Sequence, residues 1–142
     1  MAVLTETPLP PQVDVRGEPQ PGFPTEPNTT AEVPGTTVLW LGPDEWLVLG
    51  GTEADFPGAA AAVDVSANRI AFDLAGDDAV EVLAHGCSLD LDAFEPGRCA
   101  QTLLARAQVI VYRPDVGTWR ILVRPSFANY LRAWLEDAIA GE

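Results

Sequence analysis

Asp44 and Glu45 stand side by side in the stretch LGPDEWLVLG, bracketed by Trp40 and Trp46. Adjacent carboxylates do acid/base work when a cleft drives their pKa values apart. At the tip of a hairpin the same pair projects into water, and Gly42-Pro43 before it is turn chemistry. The turn context favours the second reading, with a contact to a partner as the next. His85 and Cys87 lie two residues apart, but no nucleophile's turn accompanies them, and triad chemistry needs a positioned histidine. Asp90, Asp92 and Glu95 form an acidic run without the spacing or glycine of a calcium loop. One histidine and two distant cysteines give no zinc pattern. No GxGxxG follows a strand and no GxxxxGK[ST] occurs, so the nucleotide-binding motifs are missing. Arg113, Arg120 and Arg124 fall on neighbouring predicted strands. Arg120 and Arg124, four apart, share a predicted face that could hold an acidic partner or a carboxylate ligand, or simply be solvated.

Charge narrows the choice of partner. The 142 residues carry 21 acids against 8 basic residues, a net of −13, and every basic residue is arginine. Residues 1–95 hold 17 of the acids and only Arg16 and Arg69; residues 96–142 hold 4 acids and 6 arginines. Nucleic acid requires a basic surface, so it is not an expected partner; an anionic membrane is disfavoured on the same ground. Arginine suits planar, bidentate pairing at interfaces better than lysine. No stretch is long and apolar enough to span a bilayer. The start, MAVLTETPLPP, lacks the basic and apolar regions of a secretory signal, so a cytoplasmic location is the expectation. Cys87 and Cys99 sit among apolar neighbours and read as buried free thiols.

These residues must be positioned by elements, and the chain falls into two stretches. Residues 1–34 hold 8 of the 13 prolines. Proline breaks helices and lacks a ladder donor, so this part reads as an extended N-terminal segment with one candidate edge strand, QVDVR. The segment could wrap another surface or be a tail. Residues 35–142 read as a single α+β domain. TTVLWLG and EWLVLG make a hairpin across Gly42–Glu45. A poor, short helix is expected in 53–62, strands over 62–66 and 69–76, and a short helix over 78–85 capped by Asp77 with Val80, Leu83 and Ala84 inward. CAQTLLAR, AQVIVYR and TWRILVR are strands. In the last helix Phe127, Tyr130, Leu131, Trp134, Leu135 and Ala138 form a stripe at helical spacing behind a Ser126 cap. The fold class expected is a mostly antiparallel sheet with two or three helices on one side.

The hairpin is unusual in having no polar face. Val38 and Trp40 point one way and Leu39 and Leu41 the other, and Trp46/Val48 and Leu47/Leu49 repeat this. Antiparallel strands with one wet face alternate cleanly. This hairpin is therefore either central or covered by another chain. Trp40, Trp46, Arg120 and Arg124 are the candidate partner contacts, since tryptophan and arginine anchor interfaces.

From about Gln12 onward the ordered series QVDVR, PNTT, VLWLGPDEWLVLG, VDVSANRIAFDLAG, VLAHGCSLDL, FEPGRCAQTLLARAQVIVYR and WRILVRPSFANYLRAWL resembles the gamma subunit of heterotetrameric sarcosine oxidase. LGPDEWL and CAQTLLARAQV are the most specific of these. Two family helices are reduced here, one to EPQPGFPTE and one to EADFPGAAAA. The segment from PGRCAQTLLARAQVIVYR to WRILVR is also similar to the folate-binding aminomethyltransferase domain of the glycine cleavage T protein. That family carries an acidic residue where this chain has Gln108 and hydrophobics.

The resemblance implies an α+β fold similar to the aminomethyltransferase folate-binding domain, without the folate chemistry. It implies a non-catalytic gamma subunit, with alpha, beta and delta subunits as partners, that serves assembly and stability. The complex would oxidatively demethylate sarcosine to glycine, forming hydrogen peroxide and 5,10-methylenetetrahydrofolate. FAD, FMN, NAD and tetrahydrofolate would sit on the other subunits, leaving this chain without catalytic, cofactor or metal residues. A stand-alone folate-dependent one-carbon transfer domain and a small-acid binding module are the alternatives.

Overall fold

A computed structural model describes residues 1–142. In chain order its strands are β1 (Val3–Thr7), β2 (Gln12–Arg16), β3 (Thr30–Val33), β4 (Thr36–Gly42), β5 (Glu45–Leu49), β6 (Ala61–Asp64), β7 (Ile70–Ala75), β8 (Cys99–Leu104), β9 (Ala107–Asp115) and β10 (Thr118–Val123). Two α-helices join them, α1 (Ala79–Ala84) and α2 (Pro125–Ala140). The chain divides into two compact units: Met1–Pro8, Arg69–Pro96 and Ala100–Glu142 form one, Leu9–Asn68 and Gly97–Cys99 the other. Residues 1–34 contribute to both. The antiparallel α+β class holds, but two five-stranded sheets stand where one was expected.

The first unit is built on the order β1-β7-β10-β9-β8. Phe72 and Leu74, Val109 and Val111, and Trp119, Ile121 and Val123 recur every second residue, which sends them to one sheet face. Leu131 and Leu135 of α2 and Val82 and Leu83 of α1 pack on that face in one continuous core. Fully burying a leucine contributes about 1.5–3 kcal/mol, so this stripe holds α2 in place. Helix α2 starts at Pro125, one residue before the expected cap, with Arg124 at the N-cap. Proline fits there because its missing N–H would have had no helical partner anyway. The buried line runs through Ala128, Leu131 and Leu135, while Phe127 and Tyr130 stay exposed and meet edge to face at 6.3 Å. In α1 the inward residues are Ala79, Val82 and Leu83, not Ala84, and Asp78 replaces Asp77 at the N-cap. Gly86 follows α1 because of space: a Cβ there would lie 2.7 Å from the Trp134 ring.

The second unit has the order β3-β4-β5-β2-β6. QVDVR is β2, and it lies inside the sheet between β5 and β6 rather than at an edge. Val13, Val15, Val38, Trp46 and Val48 form its buried cluster, with Phe23, Trp40, Phe56 and Ala62 packed against it. The proline-rich chain after β2 folds over this cluster. Phe23 lies 5.4 Å from the Trp46 ring, and the Trp46 indole N–H donates to the Pro24 carbonyl at 2.8 Å. Gly17 makes the bend possible: its φ is +117°, and a Cβ would meet the Ala60 nitrogen at 2.8 Å. The helix expected in 53–62 is a single 3-10 turn, Glu53–Asp55, in which the Thr52 N–H donates to Asp55 Oδ2 at 2.8 Å. Pro57 disfavours helical backbone at Phe56 and ends the turn; the alanines beyond it enter β6.

Candidate functional site

The Asp44–Glu45 pair separates into two environments. Asp44 is exposed in the turn, where its carbonyl accepts the Gly17 N–H at 2.9 Å. Glu45 already belongs to β5, opposite Arg16 of β2. The Arg16 Nη2 donates to Glu45 Oε2 at 3.1 Å. A hydrogen bond with Asp14, helped by burial, nonetheless pushes the Glu45 carboxyl up to about 7. The resulting trio is an acid pair braced by a guanidinium across β2 and β5.

The tryptophans also differ. Trp46 is 1% exposed, its indole N–H is satisfied internally, and it belongs to the core of the second unit. Trp40 is half-buried against the same cluster. Leu47 and Leu49 are buried like Trp46 and Val48, so both faces of β5 are dry, as the missing polar face required.

The three arginines expected on neighbouring strands have three separate jobs. Arg113 donates to the Phe94 carbonyl at 2.6 Å and to the Val116 carbonyl, and its guanidinium lies 4.4 Å from the centre of the Trp119 ring. Arg120 grips Asp73 through two parallel bonds, Nε to Oδ1 at 2.7 Å and Nη2 to Oδ2 at 2.9 Å, and reaches the Tyr112 hydroxyl at 3.1 Å. The bond to Asp73 raises its already high pKa further against the opposing effect of burial. Arg120 therefore knits β7, β9 and β10 together. Arg124, beyond the end of β10, is exposed and does not share its surroundings.

Arg124 instead lines a depression of about 340 Å³ with Arg69, Gln101, Thr102, Leu103 and Gln108. The strand register explains the grouping. The last ladder pairs are Val123↔Ile70 and Val123↔Val109, so Arg124, Arg69 and Gln108 continue them as one row at the sheet's end. Sequence reasoning missed Arg69 because only the pairing of β7 with β10 brings it beside Arg124. Gln108, at the position where an acidic residue was looked for, is exposed in this row.

The remaining candidates do not converge. No group of three or more His, Cys, Asp or Glu side chains is arranged to hold a metal ion. His85 Nε2 lies 2.6 Å from Glu142 Oε1. Cys87 and Cys99 are free thiols, the first half-buried and the second buried. Burial pushes the Cys99 thiol up to about 11, and its Sγ–H faces the Trp40 and Thr29 carbonyls at 3.4 and 3.5 Å. No helix is long and apolar enough to cross a membrane.

Residues 27–141 match the model of the family described as sarcosine oxidase, gamma subunit. The chain belongs to that family. Among its relatives is the sarcosine oxidase subunit gamma of Corynebacterium sp. strain U-96, 39% identical over 122 residues, covering 77% of this chain and 58% of the relative. The subunits of Corynebacterium sp. strain P-1 (38%, covering 84% and 64%) and of Arthrobacter sp. (36%, covering 74% and 57%) are similar. The chain thus spans about three fifths of the length of these relatives. Among solved structures, a chain of the heterotetrameric sarcosine oxidase from Corynebacterium sp. U-96, in complex with pyrrole 2-carboxylate, superposes with a TM-score of 0.86 at 30% identity. That match covers 99% of this chain and 84% of the other.

Proposed function

We propose that this chain is a non-catalytic gamma subunit of a heterotetrameric sarcosine oxidase, serving the assembly and stability of the complex. The observation that carries this reading is the structural match over 99% of the chain to a member of such a heterotetramer. Alpha, beta and delta subunits are its partners, and it works with them in the cytoplasm. The complex oxidatively demethylates sarcosine to glycine, with hydrogen peroxide and 5,10-methylenetetrahydrofolate as its other products. FAD, FMN, NAD and tetrahydrofolate belong to the other subunits. Support comes from this chain's own residues: its one histidine meets a surface glutamate, the carboxyl whose pKa is raised, Glu45, lies on an internally bonded sheet, and Gln108 stands where a folate-holding carboxylate would be needed.

The decisive experiment is co-expression of the tagged chain with the other three subunits from the same host. Capture of all three, with sarcosine-dependent peroxide formation by the captured complex, is the expected result. A chain that elutes alone beside an assembled trimer sinks the proposal, as does sarcosine oxidation by the chain alone.

A further inference from the structure

Seven large hydrophobic side chains stay exposed in this protein, and Phe127 and Tyr130 are the two aromatic ones. Single exposed apolar residues are ordinary. These two form a pair, 43% and 38% exposed, with their rings edge to face. Helical spacing assigned both to the core stripe of α2, and the packed core leaves them out. An exposed arginine flanks each ring. Arg106, in the turn between β8 and β9, donates its backbone N–H to the Tyr130 hydroxyl at 3.3 Å. Arg124, at the N-cap of α2, accepts the Phe127 N–H through its carbonyl at 2.9 Å. Val123 pairs with Val109, so the residues just before β9 and just after β10 lie at the same end of the sheet. Residues 100–135 hold one acid, Asp115, and its pairing with Thr118 puts it at the opposite end of the β9–β10 hairpin. The guanidinium groups of Arg120 and Arg132 are answered by Asp73 and Glu6, whereas those of Arg106 and Arg124 enter none of the chain's ion pairs.

We propose that the start of α2 and the β8–β9 turn form a docking surface for an acidic segment of a partner subunit. An apolar side chain of that segment covers Phe127 and Tyr130, and its aspartates or glutamates pair with Arg106 and Arg124. The composition fits, because aromatic residues and arginine are enriched in interface cores and among the residues that carry binding energy. Covering the rings also withdraws water from the two guanidinium groups, which strengthens their bonds to carboxylates. Charge selects the occupant. A second copy of this chain would bring −13 against −13 and be repelled, whereas a local acidic segment on a different polypeptide meets the arginines directly. The surface rests on the reading of the chain as a subunit and adds the place and chemistry of one contact.

The test uses the full chain co-expressed with the other three subunits. Wild type is compared with Phe127→Ser and with the double variants Arg106→Glu/Arg124→Glu and Arg106→Gln/Arg124→Gln, each first shown by thermal unfolding to be folded. All four positions are exposed, so these changes leave the core intact. Partner retention at physiological salt is expected to fall by about tenfold in Phe127→Ser and in the glutamate pair, and by less in the glutamine pair. The glutamine pair should also lose partners less steeply with rising NaCl, because rim charges govern salt dependence. Equal retention in wild type and all variants overturns the surface while leaving the subunit reading intact. Loss in the glutamate pair with Phe127→Ser unaffected also overturns it, since net charge alone would then account for the effect. A wild-type chain that captures nothing overturns both readings. Light scattering of the isolated chain separates the occupants: a dimer that Phe127→Ser converts to monomer would assign the surface to a second copy and overturn the partner segment.

Discussion

Glu45 holds its proton to about pH 7 because Asp14 hydrogen-bonds to it and burial disfavours its charge, while Arg16 pulls the other way. The folded protein therefore binds a proton at Glu45 more tightly than the unfolded chain, whose glutamate titrates near 4.5. The stability this adds is complete below pH 4.5 and is lost as pH rises to about 7. Glu45→Gln cannot titrate, so its melting temperature should gain on wild type between pH 5 and 8. Solvent screening near the surface holds the gain to about 1 kcal/mol or less. Parallel melting profiles for the two proteins would refute this coupling. Trp46 is the companion case. Trp46→Ala empties a fully buried site and should cost about 3–5 kcal/mol, visible as lost near-ultraviolet circular dichroism before any partner is added. A folded Trp46→Ala chain that only fails to assemble would move this residue from core to interface. At this scale the sequence was legible where chemistry is local: the turn after β4 and the arginine-rich C-terminal third. It was silent on Arg69, because nothing in RIAFDL says which strand will lie beside it.

Among the elements, α2 was the most readable, since a stripe at helical spacing needs no distant partner to be recognised. Even so, the stripe is displaced: Ala128 is buried and Phe127 is not, because packing on the sheet, not periodicity alone, sets the helix's rotation. The central placement of QVDVR was hidden by its proline-rich flanks, although Val13 and Val15 bury as an interior strand requires. MAVLTET concealed a strand altogether. β1 gains meaning only from β7, nearly seventy residues later, where Val3 pairs with Ala75. The α1 end shows how such packing fixes a single residue. Gly86 accepts the Ala105 N–H at 2.9 Å through its carbonyl, and its missing Cβ leaves room for the Trp134 ring and the Ala105 backbone nitrogen. Gly86→Ala should therefore destabilise the chain by about 1–3 kcal/mol through overpacking. Gly86→Ala combined with Trp134→Leu should regain part of that loss in a denaturant titration. No recovery in the double variant would show that backbone strain, not the ring, makes glycine necessary.

For the whole molecule, charge and topology act together. Two sheets assembled from interleaved stretches rest on long-range pairings, and a sequence read locally collapses them into one. Net charge, by contrast, was visible from the start and carries a physical consequence of its own. A chain at −13 repels itself, and this repulsion opposes the compact state. Ion pairs near the surface, such as Arg132–Glu6, are each worth about 0–1 kcal/mol and are weakened by salt. Twenty-one acids outnumber eight arginines, so unpaired repulsion outweighs those pairs. Raising NaCl from roughly 10 to 150 mM shortens the screening length from about 30 to 8 Å, which mutes the repulsion between distant acids more than the contacts between neighbours. The melting temperature of the isolated chain at pH 7 should accordingly rise over this range in scanning calorimetry. A melting temperature of the isolated chain that falls with salt would mean that local ion pairs, and not the excess of acid, dominate its electrostatics.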